Sequence, residues 1–163
     1  MGMSTATASN RRLLSLGFFL LVCYAASVAG GTASTPDGSD WFNSLRKPAW
    51  TPASELLGPA RTLLFGIMAV AAWLVWDRFH GAAVTPLKLF AYQLSLSVVW
   101  SFLFFALRNP DAAAAEIIVL WLMIAATTIS FMRVHLVAGL LMVPYWTCVT
   151  AAAILNHAIA RYN

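Results

Sequence analysis

The chain has 163 residues, 61% hydrophobic and only 10% charged, with a formal net charge of +4 and a mean hydropathy of +0.77. A water-facing domain carries about 25% charged residues, so this composition excludes a soluble globular protein and implies an integral, multi-pass membrane protein. The basic residues form no cluster of the kind that grips a nucleic-acid backbone, so the bilayer is an expected partner and nucleic acid is not.

At roughly 20 residues per crossing, about five helices use most of the chain. The expected fold is all-α, one domain over 1–163 built as a polytopic bundle of five transmembrane helices. The spans fall at about 13–33, 52–77, 87–107, 110–131 and 135–160, with a lid loop at 34–51.

Residues 1–12 are polar and small and end in Arg11-Arg12; the apolar run Leu13 to Ala29 and then Gly30-Gly31 follow. A basic start, an apolar middle and small residues at the end also describe a cleavable signal peptide. The length of the run suits a first membrane helix, and that is the preferred reading; a mature protein starting after Ala29 would reverse it. Ser34 to Asp40 is a polar, turn-rich linker.

The stretch Trp41 to Pro59 mixes polar, aromatic and turn-forming residues. Its non-helical backbone would lack hydrogen-bond partners in hydrocarbon, whereas indole rings are favoured at the lipid–water boundary. It reads as a semi-ordered lid over the mouth of a bundle. Thr51 is the expected N-cap of the second helix, with Pro52 at its first position. Gly58-Pro59 should bend or delay that helix. Asp77 to Gly81 and Arg133-Val134-His135 read as hinges. Arg108-Asn109-Pro110-Asp111 reads as a tight turn with Asn109 as cap. Pro144 lies inside the fifth span. Arg11, Arg12, Arg78, Lys88 and Arg133 fall on one side of the membrane, and Arg46, Lys47, Arg108 and Arg161 on the other, so the charge bias does not set the orientation.

Polar and aromatic residues recur at helical spacing within the spans. Gln93, Ser97, Trp100 and Ser101 share a face of the third helix, and Tyr145, Cys148, Ala152 and Asn156 a face of the fifth. Gln93 and Asn156 are costly against lipid, so these faces should point inward. They serve either helix–helix hydrogen bonding or a pocket lined by aromatics and a few polar groups; several such faces plus a lid favour the pocket. Trp73 and Trp76 lie one turn apart on the second helix. Glu116 is expected to interact with its helix N-terminus or with Arg108. Arg61, a basic residue early in the second span, either snorkels, pairs with Glu55, or points inward to meet a ligand carboxylate.

Cys23 and Cys148 read as two buried thiols rather than a disulfide framework. His80, His135 and His157 show no metal-ligand spacing, so no metal site is expected. A haem iron needs only one axial ligand, which keeps His157 open as a candidate. No G-x-S-x-G, P-loop or G-x-G-x-x-G motif occurs, and no Ser/His/Asp set suggests itself. No catalytic residue and no enzyme activity are expected.

Several segments taken together resemble the TspO/MBR family of tryptophan-rich sensory proteins, related to the mitochondrial translocator protein. They are Trp41-Phe42, Leu45-Arg46-Lys47-Pro48-Ala49-Trp50-Thr51-Pro52 and Leu57-Gly58-Pro59. Ala72-Trp73-Leu74-Val75-Trp76, Gln93-Leu94, Trp100 and Leu103-Phe104-Phe105 follow, then Ala125-Ala126-Thr127-Thr128, Val143-Pro144-Tyr145 and Leu155-Asn156 with Arg161. The resemblance implies a five-helix bundle, usually a homodimer, that binds protoporphyrin IX, haem, sterols such as cholesterol and synthetic ligands under the first loop. It implies no obligatory cofactor, the tetrapyrrole being a ligand.

Pocket positions carried over by the resemblance are Trp41, Trp50, Leu57, Trp100, Tyr145, Ala152 and Leu155, supported by Asn156, with Arg61 and Cys148 among the ligand-binding candidates. Cys148 stands where many members carry a tryptophan. Trp146 lies two residues away, about 200° round the helix, and does not replace that ring. Arg61 stands where an aromatic is common, Ala53 and Glu55 replace a proline and a tryptophan, and His157 takes the tyrosine place of the sterol pattern. The implied function is a membrane receptor or transporter for tetrapyrroles, sterols less so, with a sensory role. Photo-oxidative degradation of bound porphyrin and a regulatory scaffold are the alternatives. A weak small-xxx-small seam, Ala91 and Ser95, is a candidate dimer contact.

Overall fold

A computed structural model of the chain describes residues 3–32, 36–79 and 84–162. It contains six α-helices: α1 (Met3–Thr32), α2 (Pro36–Ser44), α3 (Ser54–Phe79), α4 (Val84–Ser101), α5 (Pro110–Val134) and α6 (Leu136–Tyr162). Five of them are long and apolar enough to cross a membrane, at Asn10–Thr32, Glu55–Arg78, Thr85–Ala106, Pro110–Val134 and Leu136–Tyr162. The protein is an integral, multi-pass membrane protein of five spans.

The bundle is held through close backbone approach. In lipid, helices gain little from hiding apolar surface and associate through packing of small residues. Ala69, Ala71, Ala72, Ala113 and Ala138 are fully buried at the helix contacts. At Gly139 a Cβ would meet the backbone N and Cα of Met132 at 2.7 and 2.8 Å, so α6 can approach α5 there only as glycine. The Trp121 indole donates to the Thr150 hydroxyl at 2.9 Å and joins the same two helices. α1 packs chiefly on α3 and more lightly on α4, burying Phe19, Cys23 and Ser27. At its N-terminal end the Arg12 guanidinium meets the Asp77 carboxylate at 3.0 Å.

Helix ends follow the sequence in part. Asn109 caps α5, its Oδ1 accepting from the Ala112 N–H at 3.0 Å with Pro110 behind it. Thr51 does not cap α3. Its N–H and its hydroxyl both go to the Pro48 carbonyl, closing a turn, and α3 starts three residues later at Ser54. Gly58-Pro59 does not interrupt the helix: α3 runs through Pro59, which lies near its start, where few helical bonds are lost. The hinge expected at Asp77 to Gly81 is helical through Phe79, and His80 and Gly81 lie outside the described residues, as do Ser34 and Thr35 of the expected linker.

Two features differ more substantially from expectation. The lid is not a loop throughout, because α2 occupies Pro36–Ser44. And α4 ends in a π-helical turn over Phe102–Ala106, with the Leu107 N–H donating to the Phe102 carbonyl at 2.9 Å. Arg108 follows with φ of 50°, a left-handed position that turns the chain into α5.

Candidate functional site

The wide π turn gathers aromatic rings at the lid end of the bundle. Trp100 stacks on Phe104 with centroids 5.3 Å apart. Phe105 meets Phe104 edge-on at 4.9 Å. From α2, Trp41 and Phe42 reach the same ring, at 5.6 and 6.1 Å. Leu45 and Leu155 pack around this group. Edge and offset contacts at such distances are the favoured arrangements of aromatic quadrupoles. The Lys47 ammonium sits 4.1 Å from the Phe42 ring centre, a cation–π contact at the rim.

Beneath the first loop, where the sequence predicts a pocket, the rings of Trp41, Phe42, Trp100 and Phe104 pack together. Two clefts open elsewhere. One of about 300 Å³ lies between α1 and α4 and is lined by Val22, Ala26, Leu94, Ser95 and Val98. The other, of about 350 Å³, lies between α1 and α3 beside Ser27, Thr32, Gly58 and Arg61.

Below the rings runs a polar inner face. Gln93 and Ser101 are fully buried and Ser97 nearly so; the face expected on the third span points inward. The Ser101 hydroxyl donates to the Ser97 carbonyl at 3.0 Å and accepts from Arg61 Nη1 at 2.7 Å. Arg61 therefore points into the bundle. It neither snorkels nor pairs with Glu55, and its guanidinium lies 4.8 Å from the Phe65 ring centre. Phe65 in turn meets Tyr145 edge-on at 6.0 Å, and Tyr145 lies within electrostatic reach of Ser97, Arg61 and Glu116.

Several buried polar atoms on this face have no protein partner: both amide atoms of Gln93 and of Asn156, Trp100 Nε1, Arg61 Nε and Nη2, and both carboxylate oxygens of Glu116. Native interiors leave few such groups unpaired. Of the two roles expected for Glu116, the ion pair with Arg108 is not made among the described residues.

The sequence-derived candidates divide accordingly. Trp41, Trp100 and Leu155 meet in the aromatic group. Arg61, Tyr145 and Asn156 line the polar interior, and Ala152 packs against the main core. Trp50 is 54% exposed and Leu57 37% exposed, so both stand outside this interior. Cys148 is exposed as well and is not a second buried thiol. The inward face of α6 runs through Met142, Tyr145, Val149 and Asn156, which leaves Cys148 to one side. Trp146 packs on Trp121 at 5.2 Å and supplies no ring to the lid group. Phe42 and Phe104 were not among the sequence-derived pocket candidates, although the i, i+4 spacing of Trp100 and Phe104 carried that signal.

Among the described residues no group of three His, Cys, Asp or Glu is placed to hold a metal ion. His157 Nδ1 lies 2.9 Å from the Ala153 carbonyl, a contact in which that nitrogen is the donor and which leaves Nε2 as the ring nitrogen not engaged by it.

The TspO/MBR family pattern matches residues 19–162. The chain belongs to the TspO/MBR family. It is 35% identical to the tryptophan-rich protein TspO of Chlorobaculum tepidum over 158 residues, 94% of this chain and 99% of that protein. It is 34% identical to the tryptophan-rich sensory protein of Cereibacter sphaeroides, covering 89% of each. The human translocator protein is 32% identical over 130 residues, 78% of this chain and 77% of the relative. These names describe sensory and translocator proteins and none names an enzyme, in keeping with a membrane receptor- or transporter-like role. The lid group and the polar face thus sit within the matched TspO/MBR region.

Proposed function

We propose that this TspO/MBR chain binds tetrapyrroles, protoporphyrin IX or haem, beneath α2, with a sensory or regulatory output and with sterols as weaker ligands. The supporting observation is the junction of the aromatic group with the unpaired polar face. A porphyrin is a flat apolar disc with carboxylate arms. Trp41 and Trp100 offer ring faces to the disc, Trp100 Nε1 and the Asn156 amide offer donors, and Lys47 at the rim offers a cation to an arm. Entry requires α2 to lift and the rings of Trp41 and Phe42 to part from Phe104. For haem, His157 Nε2 is the side-chain nitrogen suited to the iron, and the disc contacts are the same.

The proposal includes a homodimer. Ala91 and Ser95 face outward on α4, and the Ser95 hydroxyl donates to the Ala91 carbonyl at 3.0 Å. Its proton is thereby used within its own helix, leaving a smooth small-residue seam. Ala91→Leu should reduce the mass of the detergent-solubilised particle.

Protoporphyrin should quench tryptophan fluorescence saturably. Trp100→Ala should weaken binding by up to about tenfold, the worth of one aromatic contact beyond its area. Affinity unchanged by substitution of Trp41, Trp50 and Trp100 would remove the site. Photo-oxidative degradation is less well supported, because Trp146 is held by Trp121 away from the lid group.

A further inference from the structure

We propose that the crevice between α1 and α3 is a lateral binding site for acidic amphiphiles, an acyl body carrying a carboxylate or phosphate, and that Arg61 holds the acidic head. This ligand class and this location are separate from the tetrapyrrole site and stand without it.

The cleft is about 350 Å³ and is lined by Ser27, Gly31 and Thr32 of α1 and by Gly58, Arg61 and Thr62 of α3. That volume falls at the low end for small-molecule sites and suits a headgroup. The Thr32 hydroxyl donates to the Ala29 carbonyl at 2.7 Å and the Thr62 hydroxyl to the Gly58 carbonyl at 3.0 Å. Both protons serve their own helices, which leaves Arg61 as the cationic donor of the cleft.

Arg61 is under-partnered for a buried cation. Nη1 has one neutral acceptor, Ser101, while Nε and Nη2 are buried without a partner. Among the described residues no ion pair joins it to a carboxylate. Glu116, across the bundle on α5, is likewise unpaired. A buried charge without a counter-ion is strongly unfavourable, and a guanidinium is shaped to take an oxyanion with two parallel N–H bonds. An incoming acidic head therefore supplies what the fold omits.

The guanidinium reaches its seat because residue 30 has no side chain; a Cβ at Gly30 would overlap Arg61 Nη2 and Cζ. Arg61 is itself a lining residue of the cleft, and binding requires its head to swing from Ser101 into the cleft by a rotamer change. Depth fits an amphiphile rather than a free anion. Thr32 ends one span and Glu55 begins another, and Arg61 lies six residues in, about 9 Å at 1.5 Å per residue. That level lies below the interface, where a head carried on an acyl chain arrives more readily than a free anion, and the outward-facing Val28 and Leu63 offer apolar surface to that chain.

The test uses the full chain in neutral maltoside micelles, with bound amphiphile read by native mass spectrometry. Oleate is compared with oleyl alcohol, and dioleoylphosphatidylglycerol with dioleoylphosphatidylcholine. The acidic member of each pair should bind about tenfold tighter or more, the usual worth of a charged hydrogen bond. Arg61→Gln should abolish that preference, and Trp100→Ala should leave it intact. Should Arg61→Gln not purify, Arg61→Lys decides, with a reduced but surviving preference as the supporting result. Equal binding of acidic and neutral partners, or a preference untouched in the Arg61 variant, overturns the proposal. Displacement of oleate by inorganic phosphate at equal concentration overturns it also, by showing a site for free anions.

Discussion

Arg61 of α3 donates to the Ser101 hydroxyl of α4 at 2.7 Å, across 40 positions of sequence. The contact fixes an inward-pointing cation in a bundle whose described interior offers it no carboxylate partner. It decides the character of the polar face, because Ser101 passes its own proton on to the Ser97 carbonyl. Removing either end therefore has opposite consequences. Ser101→Ala leaves three guanidinium nitrogens without acceptors and should destabilise the bundle by about 1–3 kcal/mol. Arg61→Met keeps most of the length and removes the charge, and should be neutral or stabilising. Thermal unfolding of both variants in one detergent checks the pair; a lower Tm for Arg61→Met would show that the cation contributes net stability.

Two glycines with opposite surroundings make a second prediction. Gly139 faces the backbone of Met132, where a Cβ has no room, while Gly17 has nothing within 4 Å of the place its Cβ would take. Gly139→Ala must separate α5 from α6 and should cost about 1–3 kcal/mol, as overpacking does. Gly17→Ala adds helix propensity on an exposed face and should gain up to about 1 kcal/mol. Their Tm values should move in opposite directions from the parent. A parallel shift would mean that α6 does not approach α5 closely at Gly139.

Phe104 is the ring that Trp41, Phe42, Trp100 and Phe105 share, and it is 2% exposed. Phe104→Ala should cost about 3–5 kcal/mol if the cavity stays open. The loss should be local first, because α2 is short and makes its described tertiary contacts with the π turn and α3. Hydrogen exchange in α2 should rise sharply while the amides of α5 and α6 keep their protection. Uniform loss of protection along the chain would show that the lid and the bundle open together.

These rings also show what the sequence could and could not reveal. The five spans, the Asn109 cap and the inward face through Gln93, Ser97 and Ser101 were legible, because a membrane penalises polar groups pointing outward and helical spacing then sets the face. The lid helix was not. Gly38, Ser39 and Asp40 have poor helix propensity, and only Pro36 followed by Asp37 signals a helix start. The π turn at Phe102–Ala106 has no sequence mark, since a single extra residue in a helical turn changes no composition. Arg61 was legible as odd but not in direction: whether it snorkels or enters depends on the missing side chain at Gly30, a contact between helices that only packing reveals. Cys148 was misplaced because it lies only about 60° round the helix from Tyr145 but about 100° from Val149, at the margin of the face, where spacing alone does not decide burial.

That misplacement is itself testable. Cys23 is fully buried, whereas Cys148 faces out of the bundle. With the chain solubilised in mild detergent, a small apolar maleimide should modify Cys148 and leave Cys23 intact until the bundle is unfolded. Mass spectrometry after proteolysis separates the two sites, and a Cys148→Ser variant should then take up label only in denaturant. Adding protoporphyrin should not protect Cys148, because the inward face of α6 runs through Tyr145 and Asn156 rather than through the thiol. Protection by ligand, or faster labelling of Cys23, would mean that α6 is rotated from the position that defines the polar face.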